Sequence, residues 1–211
     1  MLDRVTRRLK DWALNSFVHL VPERVSPTAV TATSLPVGLA SAVSAAYGLW
    51  SWAFALFWVN RILDGLDGLI ARSRNLQSDF GGYLDIMVDF AVYAAIPIGV
   101  WMGRGSVLGN EAPAWPLVAL LGAFYVNGAS WMYLSALIEK RRVAHSAPEA
   151  DKQSSPTSIV MPTGLIEGTE TVVFYTLFLL LPRLYPLLFT IRAAATLVGV
   201  VQRIAWARRT L

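Results

Sequence analysis

Residues 60–90 read NRILDGLDGLIARSRNLQSDFGGYLDIMVDF, and this stretch decides how the rest of the chain is read. Asp64 and Asp67 stand three residues apart, Asp85 and Asp89 four apart, so on helices each pair projects from one face. Almost everything around them is apolar or glycine. The link between the two pairs is short, about 73–79, and predicts two antiparallel helices lying side by side. All four carboxylates then converge on one point near one end of those helices.

The surrounding sequence is that of a membrane protein. Of 211 residues, 55% are hydrophobic and 15% charged, against about 25% charged in an ordinary soluble domain, and the mean hydropathy is +0.49. A span needs about 20 mostly apolar residues. Six segments qualify, at about 28–48, 50–71, 80–103, 114–138, 163–182 and 184–206. The chain therefore reads as a single all-α polytopic membrane domain over 1–211: an interfacial amphipathic helix and linker in 1–27, then six transmembrane helices in 28–206. In residues 1–20, Leu2, Val5, Leu9, Trp12 or Ala13 and Ser16 or Phe17 form one helical stripe, with Arg4, Arg7, Arg8 and Lys10 mostly opposite. No signal peptide is predicted, because the apolar run starts late, after Pro22 and Pro27. Trp50, Trp52, Trp101, Trp115 and Trp206 fall at span ends, as in an aromatic belt.

Orientation follows from the cations. Arg4, Arg7, Arg8, Lys10, Arg24, Arg72, Arg74, Lys140, Arg141, Arg142, Lys152, Arg203, Arg208 and Arg209 fall on one side of this topology, against only Arg104 and Arg183 on the other. That asymmetry predicts both termini, and the acid-rich end of spans two and three, in the cytoplasm. The net charge of +4 is then topological; without a basic stripe interleaved with aromatics, no nucleic-acid partner is expected. Residues 144–158, rich in Ala, Ser and Pro, read as a cytoplasmic loop. With no cysteine and two histidines, thiolate sites, disulfides and the usual His-based zinc sites are excluded.

A carboxylate within a span costs about 2.5–3.5 kcal/mol on the insertion scale, and four together repel one another. One or two bound divalent cations remove both problems. Oxygen ligands alone point to Mg²⁺, Mn²⁺ or Ca²⁺. Mg²⁺ is typically held by a few carboxylates plus substrate phosphates, so a diphosphate is the expected companion. Gly65, Gly68 and Ala71, with Gly81 and Gly82, clear side chains from the surfaces beside the acids; close helix packing of the small-xxx-small kind is the other use of such residues. Arg72, one turn beyond Gly68, can meet an anionic phosphate or anchor the helix end at the cytoplasmic face.

The pattern Asp64-x2-Asp67-Gly68-x2-Ala71-Arg72-x8-Gly81-x3-Asp85-x3-Asp89 resembles the signature of the CDP-alcohol phosphotransferases (CDP-alcohol phosphatidyltransferases) at every fixed position. With the six-span layout, the resemblance covers essentially the whole chain. It implies an enzyme of phospholipid biosynthesis that moves a substituted phosphoryl group from a CDP-linked lipid, such as CDP-diacylglycerol, to the hydroxyl of a small polar alcohol, releasing CMP. It further implies a homodimer and two metal ions, Mg²⁺ or Mn²⁺, held by Asp64, Asp67 and Asp85 with Asp89 bordering the site. By the same resemblance Gly68 and Ala71 give room to the cytidine, Gly81 lies on the donor side, Arg72 contacts the phosphates, and Asp89 is the general base. Where many relatives carry Pro-Asn near the start of span one, this chain has Pro27-Thr28.

The acceptor is less legible. Arg61, Arg74, Arg141 and Arg142 are the cations available to an acceptor phosphate. Glu167 and Glu170, again three apart and flanked by Thr169 and Thr171, suit either a helix first turn, where acids favour the dipole, or an acceptor pocket for a polyol or amine-bearing alcohol. Acceptor contacts are expected from Glu167, Glu170 and Arg141. Residues Gly81–Pro97 and the Gly-Thr-Glu-Thr run at 168–171 look similar to a small bacterial inner-membrane branch of the family, which places the protein in that membrane. Two other classes also use intramembrane acids: a prenyltransferase with a diphosphate donor, and a divalent-cation transporter.

Overall fold

A computed structural model describes residues 21–108, 112–145 and 168–211. The described residues form six α-helices: α1 (Pro27–Ala46), α2 (Trp50–Ser73), α3 (Asp79–Met102), α4 (Trp115–His145), α5 (Gly168–Leu180) and α6 (Tyr185–Thr210). Short 3-10 turns at Gly103–Ser106 and Pro182–Leu184 follow α3 and precede α6. The helices fall on the six predicted segments, with α4 running past its expected end near 138. The interfacial helix in 1–20, the loop at 146–158, Glu167 and the first residues of the fifth predicted span lie outside the described residues.

Among the described residues, four segments are long and apolar enough to cross a bilayer: Pro27–Ala46, Asp79–Ser106, Trp115–Arg141 and Pro182–Thr210. Helix α2, at 24 residues, has the length, but Arg61, Asp64, Asp67 and Arg72 dilute its hydropathy. The 13 described residues of α5 are apolar but short of a span. Many large apolar side chains point outward, among them Trp52, Val118 and Val201, as lipid-facing surfaces require.

Local chemistry sets the helix ends that matter. Ser26 caps α1, accepting from the Ala29 N–H at 3.2 Å, with Pro27 at the first helical position. Ser78 does the same for α3, accepting from the Gly81 N–H at 3.0 Å. At the end of α2, Asn75 takes a left-handed conformation (φ 54°) and the Leu76 N–H bonds the Ala71 carbonyl at 2.9 Å. That is a Schellman stop with Asn in the position usually held by Gly. Gly48 (φ 73°) closes α1 in the same way, the Leu49 N–H reaching the Ser44 carbonyl.

Helix α1 is the spine of the site-bearing half. Against α2 it runs antiparallel: the Ser41 hydroxyl donates to the Ala53 carbonyl (2.7 Å), the Asn60 amide to the Ser34 carbonyl (2.8 Å), and the Thr31 hydroxyl to Asp67 Oδ2 (2.5 Å). Against α3 it runs parallel and close; a Cβ on Gly99 would overlap the Ala42 carbonyl, and one on Gly103 the Ala45 carbonyl. The expected side-by-side packing of α2 on α3 is therefore corrected: each packs chiefly along α1 rather than on the other. The short turn at 74–78 only brings their ends together.

The second half is built on α4 and α6, which pack along each other. Arg203 donates to the Asn127 side chain at 3.2 Å, and the Tyr185 hydroxyl to the Pro113 carbonyl at 2.6 Å. Aromatic contacts join the halves through α5: Tyr175 lies 4.9 Å from Tyr93 and 6.0 Å from Phe57 between ring centroids, and Phe178 meets Phe189 edge-on at 4.6 Å.

Candidate active site

At the end bearing the 74–78 turn, a cavity of about 230 Å³ lies among α1, α2, α3 and the turn itself. Helix α1 contributes Pro27, Thr28 and Thr31; α2 contributes Asp67, Gly68, Ala71 and Arg72; the turn adds Leu76, Gln77 and Ser78; α3 adds Gly81, Gly82 and Asp85. Every residue expected on the donor side, Gly68, Ala71, Arg72 and Gly81, lines this cavity. Arg72 folds back along its own helix, so that a Cβ on Gly68 would lie 3.1 Å from its Nη1. Gly68 thus makes room for the arginine that borders the cavity. Around Gly82 nothing comes within 4 Å of a Cβ position, so that side of the cavity is open.

The four aspartates do not gather at a single point. Asp67 and Asp85 face the cavity, and buried Asp67 is held by Thr31. Asp64 and Asp89 instead meet the guanidinium of Arg61, whose Nη2 donates to Asp89 Oδ1 at 2.9 Å and whose Nη1 lies 3.7 Å from Asp64 Oδ2. Among the described residues no three carboxylates stand close enough together to hold an ion as placed. The expected convergence is corrected to two pairs, and the reason is the buried cation between Asp64 and Asp89. The donor set still suits a hard divalent ion, being oxygen only, and Asp64 lies within electrostatic reach of both Asp67 and Asp89.

Of the cations considered for an acceptor phosphate, Arg61 is committed to Asp64 and Asp89. Arg74 binds main-chain carbonyls ahead of α1, with Nη2 to Val21 at 2.6 Å and Nη1 to Pro22 and Val25 at 3.2 and 3.3 Å. Arg141 is exposed near the end of α4 and does not line the cavity. Glu170 sits in the first turn of α5, within electrostatic reach of buried Arg192, and likewise lies outside the cavity lining. Residues that spacing did not single out are Ser78 and Gln77 at the rim. Ser78 carried a signal, as a Ser three residues before Gly81 at a helix start.

A family model, CDP-alcohol phosphatidyltransferase, matches residues 24–205, a range that contains every residue lining the cavity. The chain belongs to the CDP-alcohol phosphatidyltransferase family. Inner membrane protein YnjF of Escherichia coli (strain K12) is 32% identical over 158 residues, which cover 75% of this chain and 71% of YnjF. A bifunctional IPC transferase and DIPP synthase of Thermococcus kodakarensis is 30% identical over 131 residues, covering 57% of this chain but 30% of that longer protein. Among solved structures, phosphatidylinositol phosphate synthase (PgsA1) of Mycobacterium tuberculosis with CDP-DAG bound has a TM-score of 0.65, covering 95% of this chain and 94% of that one, at 18% identity. The same synthase in complex with manganese and citrate gives a TM-score of 0.63 at 19% identity, covering 87% of this chain and 82% of that one. These two likenesses are of fold. Membership in the family makes this an enzyme of the phosphatidyltransferase class and an integral membrane protein, and does not favour a prenyltransferase or a cation transporter.

Proposed function

We propose that this protein transfers a substituted phosphoryl group from a CDP-linked lipid, of the CDP-diacylglycerol kind, to the hydroxyl of a small polar alcohol, with release of CMP. The observation that carries this reading is the cavity between α2 and α3, where Asp67, Gly68, Ala71, Arg72, Gly81 and Asp85 all meet. The CDP-DAG bound to the PgsA1 fold supports the donor class.

Asp64, Asp67, Asp85 and Asp89 would hold two divalent ions, Mg²⁺ or Mn²⁺; the manganese complex of the PgsA1 fold supports that metal class. When bound, such ions neutralise charge on the transferring phosphoryl group and on the departing CMP. The chain's own residues do the rest. The cytidine lies along the surface cleared by Gly68, Ala71 and Gly81. The Arg72 guanidinium contacts the phosphates. Asp89 takes the proton of the acceptor hydroxyl as its oxygen bonds to phosphorus and the bond from phosphorus to the CMP oxygen breaks. The lipid tails stay in the bilayer beside the helices.

The chain is read as one domain of six spans with an interfacial N-terminal helix, working as a homodimer, with its termini and cavity facing the cytoplasm of a bacterial inner membrane. The distribution of Lys and Arg supports that orientation.

CMP release from CDP-diacylglycerol, with Mg²⁺ or Mn²⁺ and a panel of alcohols, tests the reaction. Lipid mass spectrometry of overexpressing cells against an Asp85→Ala control names the acceptor through the phospholipid that rises. Asp89→Asn is expected to lower turnover by at least about 100-fold while donor binding is retained; turnover within about tenfold of wild type removes Asp89 as the base.

A further inference from the structure

Arg61 is a buried cation within the acid-bearing helix α2 and is not itself among the residues lining the cavity. Its surroundings are built for it. Asn60, itself fully buried and anchored to the Ser34 carbonyl of α1, accepts from both Arg61 Nε (2.9 Å) and Nη2 (2.6 Å). Nη1 donates to the Tyr93 hydroxyl at 2.7 Å, and the guanidinium carbon lies 5.0 Å from the centre of the Tyr93 ring. With the guanidinium fixed on that side, its remaining reach is toward Asp64 and Asp89.

Those two contacts are unequal. Asp89 is hydrogen-bonded at 2.9 Å, whereas Asp64 is an ion-pair neighbour at 3.7 Å, outside hydrogen-bond range. An incoming divalent ion therefore competes with Arg61 for Asp64 at the looser of the two contacts, while Asp89 remains tied to the arginine. We propose that Arg61 is a positioning residue that shares these two acids with the metal: it orients Asp89 through Oδ1, and it competes for Asp64, so that it tunes the affinity of the site for divalent ions. This rests on the metal and base roles proposed above for Asp64 and Asp89. A purely structural ion pair would hold the helices together without changing how tightly the protein binds an ion.

The test is Mn²⁺ binding to the purified full-length protein in lipid nanodiscs, read from the electron paramagnetic resonance signal of free Mn²⁺, alongside kcat and KM for CMP release. In R61Q the competing charge is gone, and Mn²⁺ is expected to bind about tenfold tighter, while kcat falls at least about tenfold with the donor KM little changed. R61K keeps a charge but lacks the planar fork that ties Asn60, Tyr93 and Asp89 together. Its Mn²⁺ affinity should stay near wild type while kcat falls. Unchanged or weaker Mn²⁺ binding by R61Q overturns the proposal. If R61Q does not accumulate as folded protein, R61K decides alone: wild-type kcat, or lost Mn²⁺ binding, overturns it. Absence of Mn²⁺ binding by the wild-type chain would instead remove the metal reading itself.

Discussion

Against α3, helix α1 presents Ala42 and Ala45 to Gly99 and Gly103, leaving no room for a side chain between the backbones. Against α2 it presents Thr31, the Ser34 carbonyl and Ser41, each in a hydrogen bond across the interface. The first contact fixes a distance and the second fixes a register. Small residues in van der Waals contact are not directional, so they alone tolerate sliding. Hydrogen bonds are directional, and in this bundle they decide which turn of α2 carries its acids to the cavity. The enzyme uses the apolar contact to hold α3 close and the polar one to aim Asp67.

Four substitutions test that division. Gly99→Leu should do the most damage, since backbone rather than a flexible side chain stands in the way; a loss of about 3 kcal/mol is expected, read as a fall of roughly 10 °C in Tm. An unaltered Tm would mean that the α1–α3 distance is not set there. Asn60→Leu comes next, because it leaves the Ser34 carbonyl and the Arg61 guanidinium each short of a partner. Stability should drop by about 2 kcal/mol, and CMP release should fall with it.

Thr31→Val keeps the shape and removes one hydrogen bond to Asp67. The expected cost in stability is only about 1 kcal/mol, against roughly a tenfold fall in CMP release as Asp67 loses its orientation. Equal activity in the two proteins would deny that the polar contact serves the site. Gly82→Ala should be the mildest: nothing lies within 4 Å of the new methyl group, so thermal stability should stay within about 0.5 kcal/mol of wild type.

The division also explains what could be read from the sequence. Asp64, Asp67, Asp85 and Asp89 were legible because spacing within one helix fixes a face, and the cavity does take Asp67 and Asp85 from those faces. Helix limits were legible to within a few residues from the apolar segments alone, whereas the caps at Ser26 and Ser78 and the left-handed stop at Asn75, which set those limits, were not singled out. The role of α1 was not legible, because its decisive contacts join Thr31 to Asp67, Ser34 to Asn60 and Ala42 to Gly99, pairs far apart in the chain. Arg61 was legible only as a cation available to an acceptor phosphate, and the structure places it against Asp64 and Asp89 instead. Its bond to Asp89 required knowing how α2 and α3 are held by a third helix.

The Arg74 side chain reaches from the α2–α3 turn to the carbonyls of Val21, Pro22 and Val25. The rim of the cavity and the chain entering α1 are thereby one mechanical unit. One guanidinium thus serves as a common anchor for the chain entering α1 and for the turn that carries Gln77 and Ser78 to the rim.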